Sequence, residues 1–166
     1  VGEGVGEAPI QRNHIFRHDR QGLRRIPSCN TTKFTHMPQF AYTILYVEDV
    51  AEALAFYEKA FGLSRKFIAP DNSYGELQSG STNLSFASKE MVRANVIDTF
   101  IDSSRAQPPF GIEIAFTSDD VPATVDAAVK AGALLVAEPK TKPWGQIVAY
   151  VRDPEGFLVE ICTPMG

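Results

Sequence analysis

One pattern, strand–helix–strand–strand–strand, occurs twice in this chain at a spacing of 71 residues, and that repeat limits the architecture more than any other feature. In the first copy QFAYTILYV (39–47) is rich in β-branched and aromatic residues and reads as a strand. Asp49 then supplies an N-cap, the apolar residues Val50, Leu54, Tyr57 and Phe61 recur at helical spacing, and Gly62 is placed to end the helix. SRKFIAP, SYGELQSG and TNLSFAS follow as three short strands, the last two parted by Gly80. The second copy opens with FGIEIAFTS. Its helix is capped by Asp120, carries Pro122 in the first turn and closes at Gly132. ALLVAEP, QIVAYVRD, the turn DPEG at 153–156 and FLVEICT complete it. In this register Asp49 matches Asp120, Val50 matches Val121, Lys59 matches Lys130, and Tyr42 matches Glu113. A unit whose helix covers one face of its sheet, used twice, predicts an α+β protein of two tandem βαβββ modules related by an approximate twofold axis.

The repeat also sets the boundaries: a first module over 37–88, a second over 110–166, and a linker over 89–109. In the linker Met91, Val92, Val96, Ile97, Phe100 and Ile101 fall at roughly helical spacing, which predicts a short helix. Residues 1–36 stand outside the pattern. There Arg12, Arg17, Arg20, Arg24, Arg25 and Lys33 face Glu3, Glu7 and Asp19, a surplus of three positive charges, so the rest of the chain carries −7 against a total of −4. This basic extension has no sustained apolar periodicity and is expected to be disordered, with Met37 as the natural start of the folded part. It has no apolar core of the kind a signal peptide needs.

Composition removes several function classes. No apolar run approaches the ~20 residues of a membrane span. A pI near 5.4 leaves no electrostatic footprint for nucleic acid. The two cysteines, Cys29 and Cys162, lie far apart in sequence, one of them in the extension expected to be disordered, so nothing suggests a disulfide framework or a zinc cluster, and a reducing cytoplasm is the expected compartment.

Two glutamates run against the apolar logic of the strands that hold them. In GIEIAF (111–116) Glu113 shares a face with Gly111 and Ala115, opposite Ile112, Ile114 and Phe116. In FLVEICT (157–163) Glu160 shares a face with Leu158 and Cys162, opposite Phe157, Val159 and Ile161. Each carboxylate therefore points away from the face that packs under a helix. Such a pair can bind a cationic ligand, pass a proton as acid and base, or grip a metal; a purely structural role for Glu113, bonded to Tyr42 or another polar group, is the competing reading.

The two βαβββ units, with YVEDVAEALAFYEKAFG in the first and RDPEGFLVEICTP closing the second, resemble the vicinal oxygen chelate superfamily, which includes glyoxalase I, extradiol dioxygenases, and the fosfomycin and bleomycin resistance proteins. The likeness spans about residues 39–164. It implies a cup-shaped mixed sheet with the helices outside. In enzymes of that family a divalent metal sits in the cup, held by the first and fourth strands of each module. By register those positions here are Tyr42, Ser85, Glu113 and Glu160, and only Glu160 is of the usual ligand type. The histidines, His14, His18 and His36, all precede the modules, so the folded part cannot build an imidazole-held zinc, nickel or iron site. Two carboxylates leave Mg²⁺ or Mn²⁺, which favour oxygen ligands.

The resemblance thus leaves open a metal-poor binding protein of the bleomycin-resistance type, a divergent glyoxalase-like lyase or isomerase using Glu113 and Glu160, and, least supported, a structural protein that fills its own cup. The expected partners are a small molecule and a second copy of the chain. Further candidates for lining the cup are Tyr42 and Tyr46 on the first strand, Ser85, Trp144 in the loop KTKPWGQ, and Cys162 by alternation. Without a histidine partner Cys162 is not expected to be an activated thiolate.

Overall fold

The structure, a computed structural model, describes residues 39–165; the readings made of residues 1–36 and of Cys29 and the histidines fall outside them. Elements follow the order β1 (Tyr42–Val47), α1 (Val50–Phe61), β2 (Ser64–Ile68), β3 (Tyr74–Ser79), β4 (Thr82–Ser88), α2 (Lys89–Asn95), β5 (Glu113–Thr117), α3 (Val121–Lys130), β6 (Leu134–Thr141), β7 (Ile147–Arg152) and β8 (Leu158–Cys162). They form two four-stranded mixed sheets, ordered β1-β4-β3-β2 and β5-β8-β7-β6. In each, the first strand runs parallel to the last and the other pairings are antiparallel.

Local chemistry starts and stops the helices as expected. Asp49 accepts a hydrogen bond from the Glu52 amide at 2.9 Å, and Asp120 from the Ala123 amide at 3.0 Å, each satisfying one amide that the first helical turn leaves free. Gly62 ends α1 in the left-handed conformation at φ 68°, where a side chain would be strained. The linker's apolar set begins in one short helix, α2. Only Val92 of that apolar set is buried, α2 ends at Asn95, and Val96, Ile97 and Ile101 are exposed, so nothing packs against a second turn to sustain it.

One core serves both modules. α1 buries Val50, Leu54, Phe56 and Tyr57, α3 buries Val121, Val125 and Ala128, and both meet the apolar faces of the strands. Each fully buried Leu, Val or Phe side chain contributes roughly 1.5–3 kcal/mol, less what an already compact unfolded chain would bury. Aromatic rings tie the halves together: Phe61 of α1 stacks on Phe116 of β5 at 4.5 Å between centroids, and Tyr57 lies 6.2 Å from the same ring.

A polar seam completes the joint. The Tyr57 hydroxyl donates to Asp153, in the turn between β7 and β8, at 3.0 Å. Lys89, which is buried, reaches Glu48 at 2.9 Å and Glu155 at 3.3 Å. Arg152, also buried, spreads its guanidinium over the carbonyls of Gly156, Ser104 and Gln107, each at 2.7 Å, and so pins linker residues 104–107 onto the second sheet. Gly156 permits that approach: a Cβ there would stand 2.5 Å from the Ser104 carbonyl carbon. Among the described residues no helix is long and apolar enough to cross a membrane.

Candidate functional site

Strand alternation decides what faces away from the helices. On β1 Leu45 and Val47 enter the core while Tyr42, Ile44 and Tyr46 take the opposite face; on β5 Ile114 and Phe116 pack inward while Glu113, Ala115 and Thr117 do not. Among the described residues β1 pairs only with β4, and β5 only with β8, so each keeps one edge unpaired there. A cavity of about 420 Å³ lies between those edges, lined by Ile44, Ile112, Glu113, Ala115, Phe157 and Leu158 among others. It is a predominantly apolar slot with one carboxylate.

The register aligns the two modules residue for residue. Ser85 pairs with Ile44 of β1, and Glu160 pairs with Ala115 of β5, so Ser85 and Glu160 occupy equivalent positions, as do Tyr42 and Glu113. On the neighbouring strands Glu76 pairs with Ser85, and Tyr150 with Glu160. The modules have therefore exchanged acid and hydroxyl between adjacent strands. In the second module the Tyr150 hydroxyl donates to Glu160 Oε2 at 2.7 Å, and that bond, with partial burial and the negative charges of Glu160 and Glu113, pushes the Tyr150 phenol up to about 12. In the first module Glu76 is buried and accepts from Lys66 at 2.9 Å, Asn83 at 3.0 Å and the Tyr74 hydroxyl at 3.1 Å.

The two walls consequently differ in charge. Glu76 is neutralised by Lys66, whereas Glu160 has a phenol for a partner and Glu113, exposed on the slot, makes no ion pair with any described residue. Ser85 is fully buried, and its Oγ meets no partner in hydrogen-bonding geometry although Tyr74 lies beside it. Cys162 is buried next to Glu160; burial, then the glutamate's hydrogen bond and charge, pushes its thiol up, so it is held protonated.

The structure gathers Tyr42, Ser85, Glu113, Glu160 and Cys162 on the helix-free faces of the two sheets. Tyr46 is on that face too, but its ring is covered by Phe100 of the linker at 5.0 Å between centroids. Trp144 stands apart: it lies in the hairpin between β6 and β7, largely exposed, and its Nε1 donates to Gln146 at 2.8 Å. Glu76, Tyr74, Tyr150 and Phe100 escaped the sequence reading. The first three were detectable, since SYGELQSG and QIVAYVRD place them by alternation opposite Gly75, Leu77, Ala149 and Val151. Phe100 left no such signal, because it acts from an irregular segment.

The family model described as Glyoxalase/Bleomycin resistance protein/Dioxygenase superfamily matches residues 39–161. The chain belongs to that superfamily. No curated protein sequence matches it. Solved structures share the fold at low identity. A glyoxalase-related enzyme from Fulvimarina pelagi is 23% identical over 78% of this chain and 94% of its own, with a TM-score of 0.66. TioX from Micromonospora sp. ML1 is 20% identical over 77% and 100%, at 0.58. Lactoylglutathione lyase from Agrobacterium tumefaciens is 21% identical over 77% and 95%, at 0.57.

The superfamily's metal-dependent members pose a test of fit. Residues 39–165 contain no histidine, and among the described residues no three His, Cys, Asp or Glu side chains converge on one point. Of the four expected ligand positions two are Tyr42 and Ser85, and Glu160 already accepts the Tyr150 hydroxyl. This donor set does not fit a protein-held transition metal.

Proposed function

We propose that this superfamily member binds a small organic cation in its cup without a histidine-held metal, Glu113 and Glu160 supplying the negative charge. The observation that carries the reading is the asymmetry of the walls: Glu76 has its own lysine, while Glu113 has no cationic partner among the described residues and opens onto a slot of about 420 Å³, within the range of small-molecule sites. An unpaired carboxylate beside apolar walls gains most from a guest that brings positive charge and little else to solvate. Tyr150 holds one oxygen of Glu160 through its hydroxyl and brings no positive charge to neutralise it.

Calorimetry with organic ammonium and guanidinium salts, set against carboxylates of matching size, tests this. Cations should bind saturably and carboxylates should not, and the double variant Glu113→Gln, Glu160→Gln should lose at least about tenfold in affinity, the equivalent of 1.4 kcal/mol. Equal binding of both charge types, or a stoichiometric transition metal retained through purification, would overturn the reading.

A further inference from the structure

The slot between β1 and β5 does not end at the strands. A second cavity of about 110 Å³ lies beneath the linker, and the two share Ile44 and Phe157 as walls. Phe100 and Phe110 are among the walls of this second cavity, Phe100 edge-on against Tyr46. Apart from Glu113 and Thr43 the walls of the slot are apolar, and the second cavity adds the rings of Tyr46, Phe100 and Phe110 with Ser103, so the one charge lies on the slot and the aromatic rings on its neighbour.

Phe100 is held by side chains alone. Residues 98–102 make no backbone–backbone hydrogen bond to any described residue, while both flanks are fixed: Ile97 bonds back to Val92, and Ser103 and Ser104 accept from Lys89 and Arg152. Between those anchors Phe100 is kept in place by Tyr46 and by the Arg93 guanidinium 4.5 Å above its ring, and Arg93 is itself paired with Asp102. Ile101, in the same segment, is 80% exposed.

We propose that the slot receives the apolar tail of an organic monoamine whose ammonium group rests on Glu113 and Glu160, and that Phe100 is the stop that sets the length of the tail. This rests on the organic-cation reading above and adds the class of cation. A polyamine or a basic glycopeptide would place charge or hydroxyl groups against Ile44 and Phe157; a single head with an aliphatic or aromatic tail matches walls that carry one charge and are otherwise largely apolar.

Titration with the n-alkylammonium series from butyl to decyl, below micellar concentrations and beside the matching alcohols, reads the proposal. Affinity should rise about fourfold per added methylene, the value of one buried CH₂, and then level off where the tail meets Phe100. Phe100→Ala should move the plateau to longer tails. Ala115→Leu, which fills the slot near its mouth, should flatten the length dependence; circular dichroism and the melting temperature verify that both variants fold. Affinity independent of tail length, with ammonium still preferred over alcohol and still dependent on Glu113, overturns this inference and leaves the organic-cation reading standing. Alcohols that bind as tightly as ammonium salts at every length overturn both. A plateau at the same length in Phe100→Ala removes Phe100 as the stop.

Discussion

Asp153 offers the sharpest quantitative check on how the two modules are joined. It lies in the DPEG turn, is 1% exposed, and accepts the Phe157 amide at 2.7 Å and the Tyr57 hydroxyl at 3.0 Å. Burial pushes its carboxyl up from the ordinary 3.8 to about 6, against the opposing pull of those donors. A carboxyl whose folded value exceeds its unfolded one favours the protonated folded state. Its contribution is therefore complete below about pH 4 and is lost as pH rises through about 6, a loss on the order of 3 kcal/mol in all. Asp153→Asn mimics the neutral acid: its carbonyl still accepts from Phe157, and the Tyr57 hydroxyl turns to accept from the amide. Urea denaturation followed by circular dichroism at constant ionic strength should find wild type and variant alike near pH 4. At pH 8 the variant should be more stable by about 1–3 kcal/mol. The difference between the two profiles cancels the other carboxylates. Profiles that stay parallel from pH 4 to 8, or a variant weaker than wild type at pH 8, would show that the buried turn does not carry this ionisation cost.

Three further outcomes are expected. Glu160→Ala removes both the acceptor and the charge that raise the Tyr150 phenol, so its titration, followed by ring-carbon NMR, should fall from about 12 toward the usual 10; an unmoved Tyr150 would refute the hydrogen bond. Ser85→Ala deletes a buried hydroxyl without a partner and should leave the melting temperature unchanged or raise it by the equivalent of up to about 1 kcal/mol, whereas a clear loss would mean that Oγ is bonded. Gly156→Ala places a Cβ against the linker backbone at φ 95° and should cost at least about 2 kcal/mol, more than Gly80→Ala, where φ is 58° and nothing lies within 4 Å. Equal costs would show that the linker does not press on the turn.

What the sequence determined by itself is the part governed by near neighbours. Period-2 and period-3.6 alternation, the caps Asp49 and Asp120 and the stop at Gly62 are local facts, and they placed every strand and both long helices; alternation also put Glu113 and Glu160 on the face away from the helices. Tertiary structure alone decided the rest. The linker's apolar spacing predicted a short helix, and only the packing decides where it ends: a helix that short persists where a partner buries it, and beyond Val92 the residues Val96, Ile97 and Ile101 are exposed. That Glu76 is matched by Lys66 while Glu113 is left without a cation among the described residues, that Tyr57 of one module reaches Asp153 of the other, and that Phe100 of the linker meets Tyr46 beside the slot all depend on which strands and loops meet in space. Those meetings join residues far apart in the chain, and no periodicity in the sequence encodes them.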